Sequence, residues 1–457
     1  MLPAPIARCG HGPRREGEKF LPTFKYMMRP LVLLACGFLS ALLAPAAGPA
    51  PALPTQLQPN TNSPLLDSLL RADARLLPVV EHTAEYELQV IYTQIDRNEQ
   101  GQPAFTEHTF RLDARQYFNP ASLVKLPTVA LALEKLNELH QPGLTRRSPM
   151  STAAAFRCQT PAPYITSADS DRVNTIGNYA KRMLLVSDNR AYNRLYEFLG
   201  QRPLNERLAT LGYPKTRIVR RFAPCDTAAN RHTNPIEFLD PATGAVSYQQ
   251  PAAVNSQPFD FPLGRISKGR AHQAGGRIVP GPYDFTTANY LPLASITGML
   301  RTLLFPEAVP AAQRFHLRPD DYAFLRYYLH QTPHGANYSS YRPARYFDAY
   351  KKYLYYGRQP TTSAEPGLRI YNIVGMSHGY LADVAYFADA TNQSEFMLSA
   401  VLYVNKNGII NDGTYEYDSV GLPFLAALGQ QIRQYEANRP RSGQRLSAQL
   451  APMETVR

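Results

Sequence analysis

Ser122-Leu123-Val124-Lys125 is the stretch on which the fold of this 457-residue chain turns. Asn119 before it is a good N-cap residue and Pro120 suits a first helical position. Leu126, Val129, Leu133 and Leu136 follow at helical spacing, so the pattern predicts a helix starting at Asn119-Pro120. Ser122 and Lys125, three residues apart, then project from one face. That arrangement lets an amine take the proton of a serine nucleophile. Ser122 falls in the first turn, where unpaired N–H groups and the positive helix end favour a developing anion.

Ser187-Asp188-Asn189 lies further along, between two helical patterns, Val173–Val186 and Asn189–Leu199, the second stopped by Gly200. In this order and context the chain resembles the serine β-lactamase and penicillin-binding-protein superfamily, whose motifs are S-x-x-K, S-D-N and K-T-G. The resemblance is nearest to bacterial serine hydrolases with a class A β-lactamase-like domain. It implies that Ser122 is the nucleophile and Lys125 the base for acylation. It also implies that Ser187 relays a proton to the leaving nitrogen and that Asn189 binds Lys125 or the substrate amide. The substrates implied are β-lactams or cell-wall peptide-like amides and esters, with no metal or organic cofactor.

The third motif is degenerate. On the preferred alignment Asn372-Ile373-Val374-Gly375 stands where the family has K-T-G, so Ile373 replaces the lysine, Val374 the threonine, and only Gly375 is kept. An apolar pair cannot hold a substrate carboxylate as the lost pair would. Met376, next to Gly375, is the expected second oxyanion donor beside the Ser122 N–H. His378 at the rim is the expected substitute for the lysine. Ser377-His378-Gly379 is the alternative placement of the motif, and it too lacks a lysine. The match of Gly375-Met376-Ser377-His378-Gly379 to G-x-S-x-G is set aside, because that elbow needs a following helix and Tyr380 onward reads as a strand. Class A enzymes carry E-x-x-L-N for deacylation. Here only Asp226-Thr227-Ala228-Ala229-Asn230 has that spacing, making Asp226 the candidate deacylation base. These changes imply slow β-lactam turnover. A non-catalytic or weakly catalytic cell-envelope binding protein keeping the fold is the competing reading.

Residues 1–46 read as a signal peptide: Lys25 and Arg29, the apolar run Leu31–Leu43, then Ala44-Pro45-Ala46. The run is too short to span a membrane stably. Leu33-Leu34-Ala35-Cys36 resembles a lipoprotein box, but the apolar run continues past Cys36, so lipidation there is the lesser alternative. Secretion or a periplasmic location follows. Removing these residues leaves Cys158 and Cys225, paired or as separate thiols. It also lowers the net charge from +12 to +8, because six Lys/Arg and two Asp/Glu go with them. The remaining basic residues alternate with acidic ones, which argues against nucleic acid as a partner. The pattern leaves the oligomeric state open.

Pro64–Val80 reads as an amphipathic helix, and Tyr86–Ile95 and Phe105–Leu112 as strands. A mainly helical middle follows, then strand-like runs Leu368–Val374, Tyr380–Phe387 and Phe396–Val404, and a closing helix from about Val420 to Ala437. The reading is an α+β fold, β-lactamase/transpeptidase-like. An antiparallel sheet is built from both chain ends, with flanking helices and a helical lobe. The serine hydrolase domain spans 47–437, with the lobe and an insertion at about 140–300. Residues 230–290, rich in Pro, Gly and Asn with little periodicity and too long for an ordinary connection, read as a family-specific insertion near the site. Residues 438–457 read as a flexible tail.

Overall fold

The computed structural model describes residues 62–165, 167, 169–336 and 345–441. The signal-peptide segment and Cys36 lie outside them. Five antiparallel strands form the main sheet: β1 (Gln89–Arg97), β2 (Pro103–Phe110), β3 (Leu368–Ser377), β4 (Tyr380–Asp389) and β5 (Ser394–Tyr403). Their spatial order is β3-β4-β5-β1-β2, so the two chain ends meet at the β5–β1 pair, with Tyr92 opposite Leu398. Side chains alternate across a strand. Ile91, Ile373, Val384, Met397 and Val401 therefore face the core of the helical lobe. Val90, Tyr92, Val374, Leu398 and Leu402 face the opposite core. That second core is closed by α1 (Pro64–Arg71) and α8 (Leu422–Asn438). Both faces are covered, which explains why β4 and β5 read as near-continuous apolar runs.

The lobe contains α2 (Lys125–Glu138), α3 (Ile176–Val186), α4 (Asn189–Leu199), α5 (Gln201–Thr210), α6 (Leu293–Leu304) and α7 (Pro319–His330). Asp188 sets the start of α4, its carboxylate accepting from the N–H groups of Arg190 and Ala191 at 2.7 and 3.0 Å. Thr175 caps α3 in the same way through the N–H of Asn178.

Several sequence expectations are corrected. The helix expected over Pro64–Val80 ends at Arg71, and one-turn helices follow at Leu77–Val80 and Thr83–Tyr86. Arg75 folds back on the Asp73 carboxylate at the break, and Tyr86 is helical, so β1 begins at Gln89. Residues 230–290, whose sequence shows little periodicity, contain several short strands. Ile236–Leu239 and Val246–Gln250 join Met150–Thr152 in a small sheet, and Ala271–Ala274 pairs with Arg277–Pro280 and Ile409–Ile410. These strands are two to five residues long, too short for periodicity to reveal. The chain from Asn438 to Arg441 is anchored, with Arg439 on Asp96 at 2.8 Å and on Glu436 at 3.0 Å. Residues 442–457 lie outside the described ones. Among the described residues no helix is long and apolar enough to cross a membrane.

Cys158 and Cys225 are disulfide-bonded across 67 positions of sequence. Opening the bond frees that loop in the unfolded chain, so reduction should cost about 2–4 kcal/mol. Urea unfolding with and without a reductant measures it, and coincident curves would refute a stabilising role.

Candidate active site

Ser122 sits on a tight 3-10 turn, Ala121–Val124, that runs straight into α2. Asn119 holds the entry through its side-chain oxygen, which accepts from the Ala121 N–H at 2.8 Å. Lys125 is the first residue of α2 and is fully buried. Its Nζ lies 2.9 Å from Ser122 Oγ, 2.5 Å from Ser187 O, 2.9 Å from Ser187 Oγ and 2.7 Å from Asn189 Oδ1. The Ser187 carbonyl and the Asn189 amide oxygen can only accept. A neutral amine has two N–H groups for these two, which leaves its single lone pair to accept from one hydroxyl at a time, Ser122 or Ser187. The Lys125 amine is held well below its ordinary pKa, chiefly by burial and next by the positive charge of Lys351, with Asp188 opposing. The site is therefore built for an unprotonated lysine.

Three non-glycine residues at this site have positive φ: Ala121 (45°), Ser187 (58°) and His378 (55°). Such backbone is costly and concentrates where a side chain must be aimed. Ser187 ends α3 in this conformation, and both its carbonyl and its hydroxyl point at Lys125.

The β3–β4 hairpin forms the facing wall. Its two-residue loop, His378-Gly379, has positive φ at both positions, as the favoured hairpin turn requires. In such a hairpin the flanking Ser377–Tyr380 pair exchanges hydrogen bonds, so the next pair, Met376–Leu381, does not. The Met376 N–H consequently points away from β4, off the sheet edge. A Cβ on Gly375 would stand 2.6 Å from the Pro120 carbonyl oxygen, so the strand lies directly against the Ser122 turn. Gly375→Ala should displace that turn and slow acylation of Ser122 about tenfold. Unchanged acylation kinetics would show that the close approach does not position the serine.

Ile373 and Val374 are buried in opposite cores, as apolar packing residues. His378 hydrogen-bonds Ser377 Oγ at 2.5 Å and approaches the Asn119 side chain at 3.4 Å. Burial, then the charge of Arg220, brings its pKa down to about 4. It is uncharged near neutrality, which corrects its expected role as a cation in place of the missing lysine. Tyr283 and Phe285 of the insertion pack on its ring at 5.9 and 5.3 Å. Asp226 is also corrected. Its half-exposed carboxylate caps the helical turn Thr227–Asn230 and pairs with Arg157 at 2.8 Å. Among the described residues, neither partner hydrogen-bonds Ser122, Lys125, Ser187 or Asn189.

Two groups of residues escaped the sequence reading. Phe222 packs its ring over the Lys125 amine, 5.1 Å from centroid to Nζ. The Phe222 N–H is held by Asn193 Oδ1 at 2.8 Å. Nothing in the motif spacing pointed to it. Lys351 and Lys352 are both buried, together with Asn372 and Asp383. The signal available was a lysine pair inside the aromatic run Tyr350–Tyr356, where a solvated pair would be out of place.

Residues 74–245 match the model of the beta-lactamase enzyme family. That span is less than half of the chain, but it holds both the Ser122 turn and Ser187–Asn189. The chain carries a serine β-lactamase-like domain. No curated protein sequence matches the chain. Among solved structures, a β-lactamase from Sphaerobacter thermophilus is 14% identical, covering 80% of this chain and 97% of that one, with a TM-score of 0.41. One from Burkholderia ambifaria is 14% identical over 79% and 99%, TM-score 0.42. A class A β-lactamase from Clostridium kluyveri is 12% identical over 78% and 97%, TM-score 0.42. In the β-lactamase-like domain, Ser122, Lys125, Ser187 and Asn189 are joined by hydrogen bonds, and Gly375 abuts the turn that carries Ser122.

Proposed function

We propose that the protein is an exported serine hydrolase of class A β-lactamase type, acting through an acyl-enzyme at Ser122. The observation that carries the reading is the Lys125 amine, buried and hydrogen-bonded as a neutral base against Ser122 Oγ. Ser122 Oγ attacks the carbonyl carbon while its proton passes to Lys125 Nζ. The oxyanion lies between the N–H groups of Ser122 and Met376. Ser187, bonded to the same amine, returns the proton to the departing nitrogen as the amide bond breaks. β-Lactams or cell-wall peptide-like amides and esters are the substrate class.

Deacylation is the weak step. Asp226 is turned to Arg157, and the ring of Phe222 covers Lys125. Among the described residues, no carboxylate hydrogen-bonds Ser122, Lys125, Ser187 or Asn189. Water attack on the acyl-enzyme therefore lacks an obvious base, and turnover of penicillins is slow. The same observation favours the competing reading, a non-catalytic or weakly catalytic cell-envelope binding protein that keeps the fold.

Mass spectrometry after exposure to a penicillin and to a fluorophosphonate tests both. The hydrolase reading expects the added mass on the Ser122 peptide, none in Ser122→Ala, and slow return to free enzyme. Permanent acylation with no product favours the binder. Label on Ser377, or label persisting in Ser122→Ala, refutes the assignment. Turnover near 10³ s⁻¹, on the order of the fastest ordinary enzymes, refutes the slow deacylation.

A further inference from the structure

Ile373 leaves β3 without the cation that the third motif would supply, yet a buried lysine from another segment is held against the helix that ends at Ser187. Lys351 ends the 3-10 turn Asp348–Lys351 and is only 5% exposed. Its Nζ donates to the carbonyl of Leu184 in the last turn of α3. Three residues later that helix ends at Ser187, whose carbonyl and hydroxyl hold Lys125.

The segment carrying Lys351 is fixed from behind. The Lys351 carbonyl accepts from Asn372 Nδ2 at 2.6 Å, and Asn372 also donates to Asp383 Oδ1 at 2.9 Å. Asp383 Oδ2 accepts from the N–H groups of Tyr353 and Leu354 at 3.1 and 2.9 Å. Lys352 Nζ turns to Asn372 Oδ1 at 2.7 Å and to the Ile370 and Leu329 carbonyls. Lys351 is thus anchored between β3 and α3, and the residues after it are held to β4 through Asp383.

We propose that Lys351 is a positioning residue for the Ser122–Lys125 pair. Its amine tethers the end of α3 and keeps a second positive charge behind Lys125, so that Lys125 stays a proton acceptor. The proposal rests on the reading of Lys125 as the acylation base.

The charged groups around the pair are few. Asp188, at the start of α4, favours a protonated Lys125, but Arg182 and the first N–H groups of α4 engage its carboxylate. Phe222 adds only a ring, and the polar neighbours on the Ser122 turn and at Asn189 are uncharged. Lys351 faces Asp383 on β4, with Lys352 on its own segment. Burial draws the Lys351 pKa down to about 7, with Asp383 opposing. Below that pH the amine is charged, and its repulsion keeps a proton off Lys125.

Lys351→Met removes the charge while keeping a side chain of similar length. A protonated Lys125 then becomes easier to form, so the acidic limb of the acylation profile moves upward by about one pH unit. That is the size expected of one unit charge removed from a site of intermediate polarity. Acylation at a pH on that limb slows about tenfold, and the high-pH plateau stays within a few-fold of wild type. A uniform loss at every pH with no displacement of the limb overturns the proposal, because that is what a purely structural lysine would give. If Lys351→Met does not fold, Lys351→Gln carries the same readout, since its amide can still donate toward Leu184. Lys125 is also read directly by NMR titration of 13Cε-lysine protein, wild type against Lys351→Gln. A Lys125 midpoint that rises in the variant supports the proposal, and one that stays put overturns it. This titration needs no substrate. A wild type that no probe acylates would therefore refute the hydrolase reading without deciding the role of Lys351.

Discussion

Lys125→Ala slows acylation of Ser122 by about 10²–10⁴-fold, the usual contribution of a positioned general base. The geometry makes the loss specific. The only amine hydrogen-bonded to Ser122 Oγ among the described residues is Lys125 Nζ, and His378 meets Ser377 and Asn119 instead. Water entering the space left by the lysine is a far weaker proton acceptor. Stability changes much less than activity. Truncation strips partners from Ser187 and Asn189, but it also removes a buried amine whose solvation was already sacrificed on folding. Stopped-flow acylation of wild type and variant by one reporter substrate measures the ratio. A loss of only a few-fold means that another group takes the proton.

Asp383→Ala is the substitution with the largest expected effect on stability, about 3–5 kcal/mol. Asp383 is fully buried on β4, and its two oxygens accept from Asn372, Tyr353 and Leu354. Deleting it strands three buried donors and leaves Lys351 and Lys352 with no nearby negative charge. Asp383→Asn keeps one acceptor oxygen and costs less. Denaturant unfolding gives the difference, provided the slope of the transition is unchanged. A midpoint within error of wild type would mean that water replaces the carboxylate and that the network does not hold the Lys351 segment.

The sequence made the Ser122 turn, the Ser187 junction and the main strands legible because each depends on local chemistry. Asn119 and Pro120 mark a helix start, α4 has its stop at Gly200, and β4 and β5 are long apolar runs. What stayed hidden depends on neighbours distant in sequence. Asp226 had the spacing of a deacylation base, but spacing does not say which arginine a carboxylate meets, and Arg157 takes it. His378 read as a stand-in cation, yet burial beside the insertion's aromatic rings, reinforced by Arg220, keeps it neutral. The lysine missing from β3 was sought on β3. The buried lysine held against the end of α3 comes instead from a turn over twenty residues earlier, which no motif window would include.

The pairing of β1 with β5 has a consequence for when the site can exist. Gln89 finds its partner at Val401, so the sheet closes only after nearly all of the chain has been made. A nascent chain that stops short of β3 contains Ser122, Lys125 and Ser187 but no edge strand to face them. Contacts this distant in sequence also form slowly. Under the proposed export, the polypeptide would cross its membrane as an inert precursor. Reactivity toward acyl groups would begin only on the far side, once the C-terminal strands had docked.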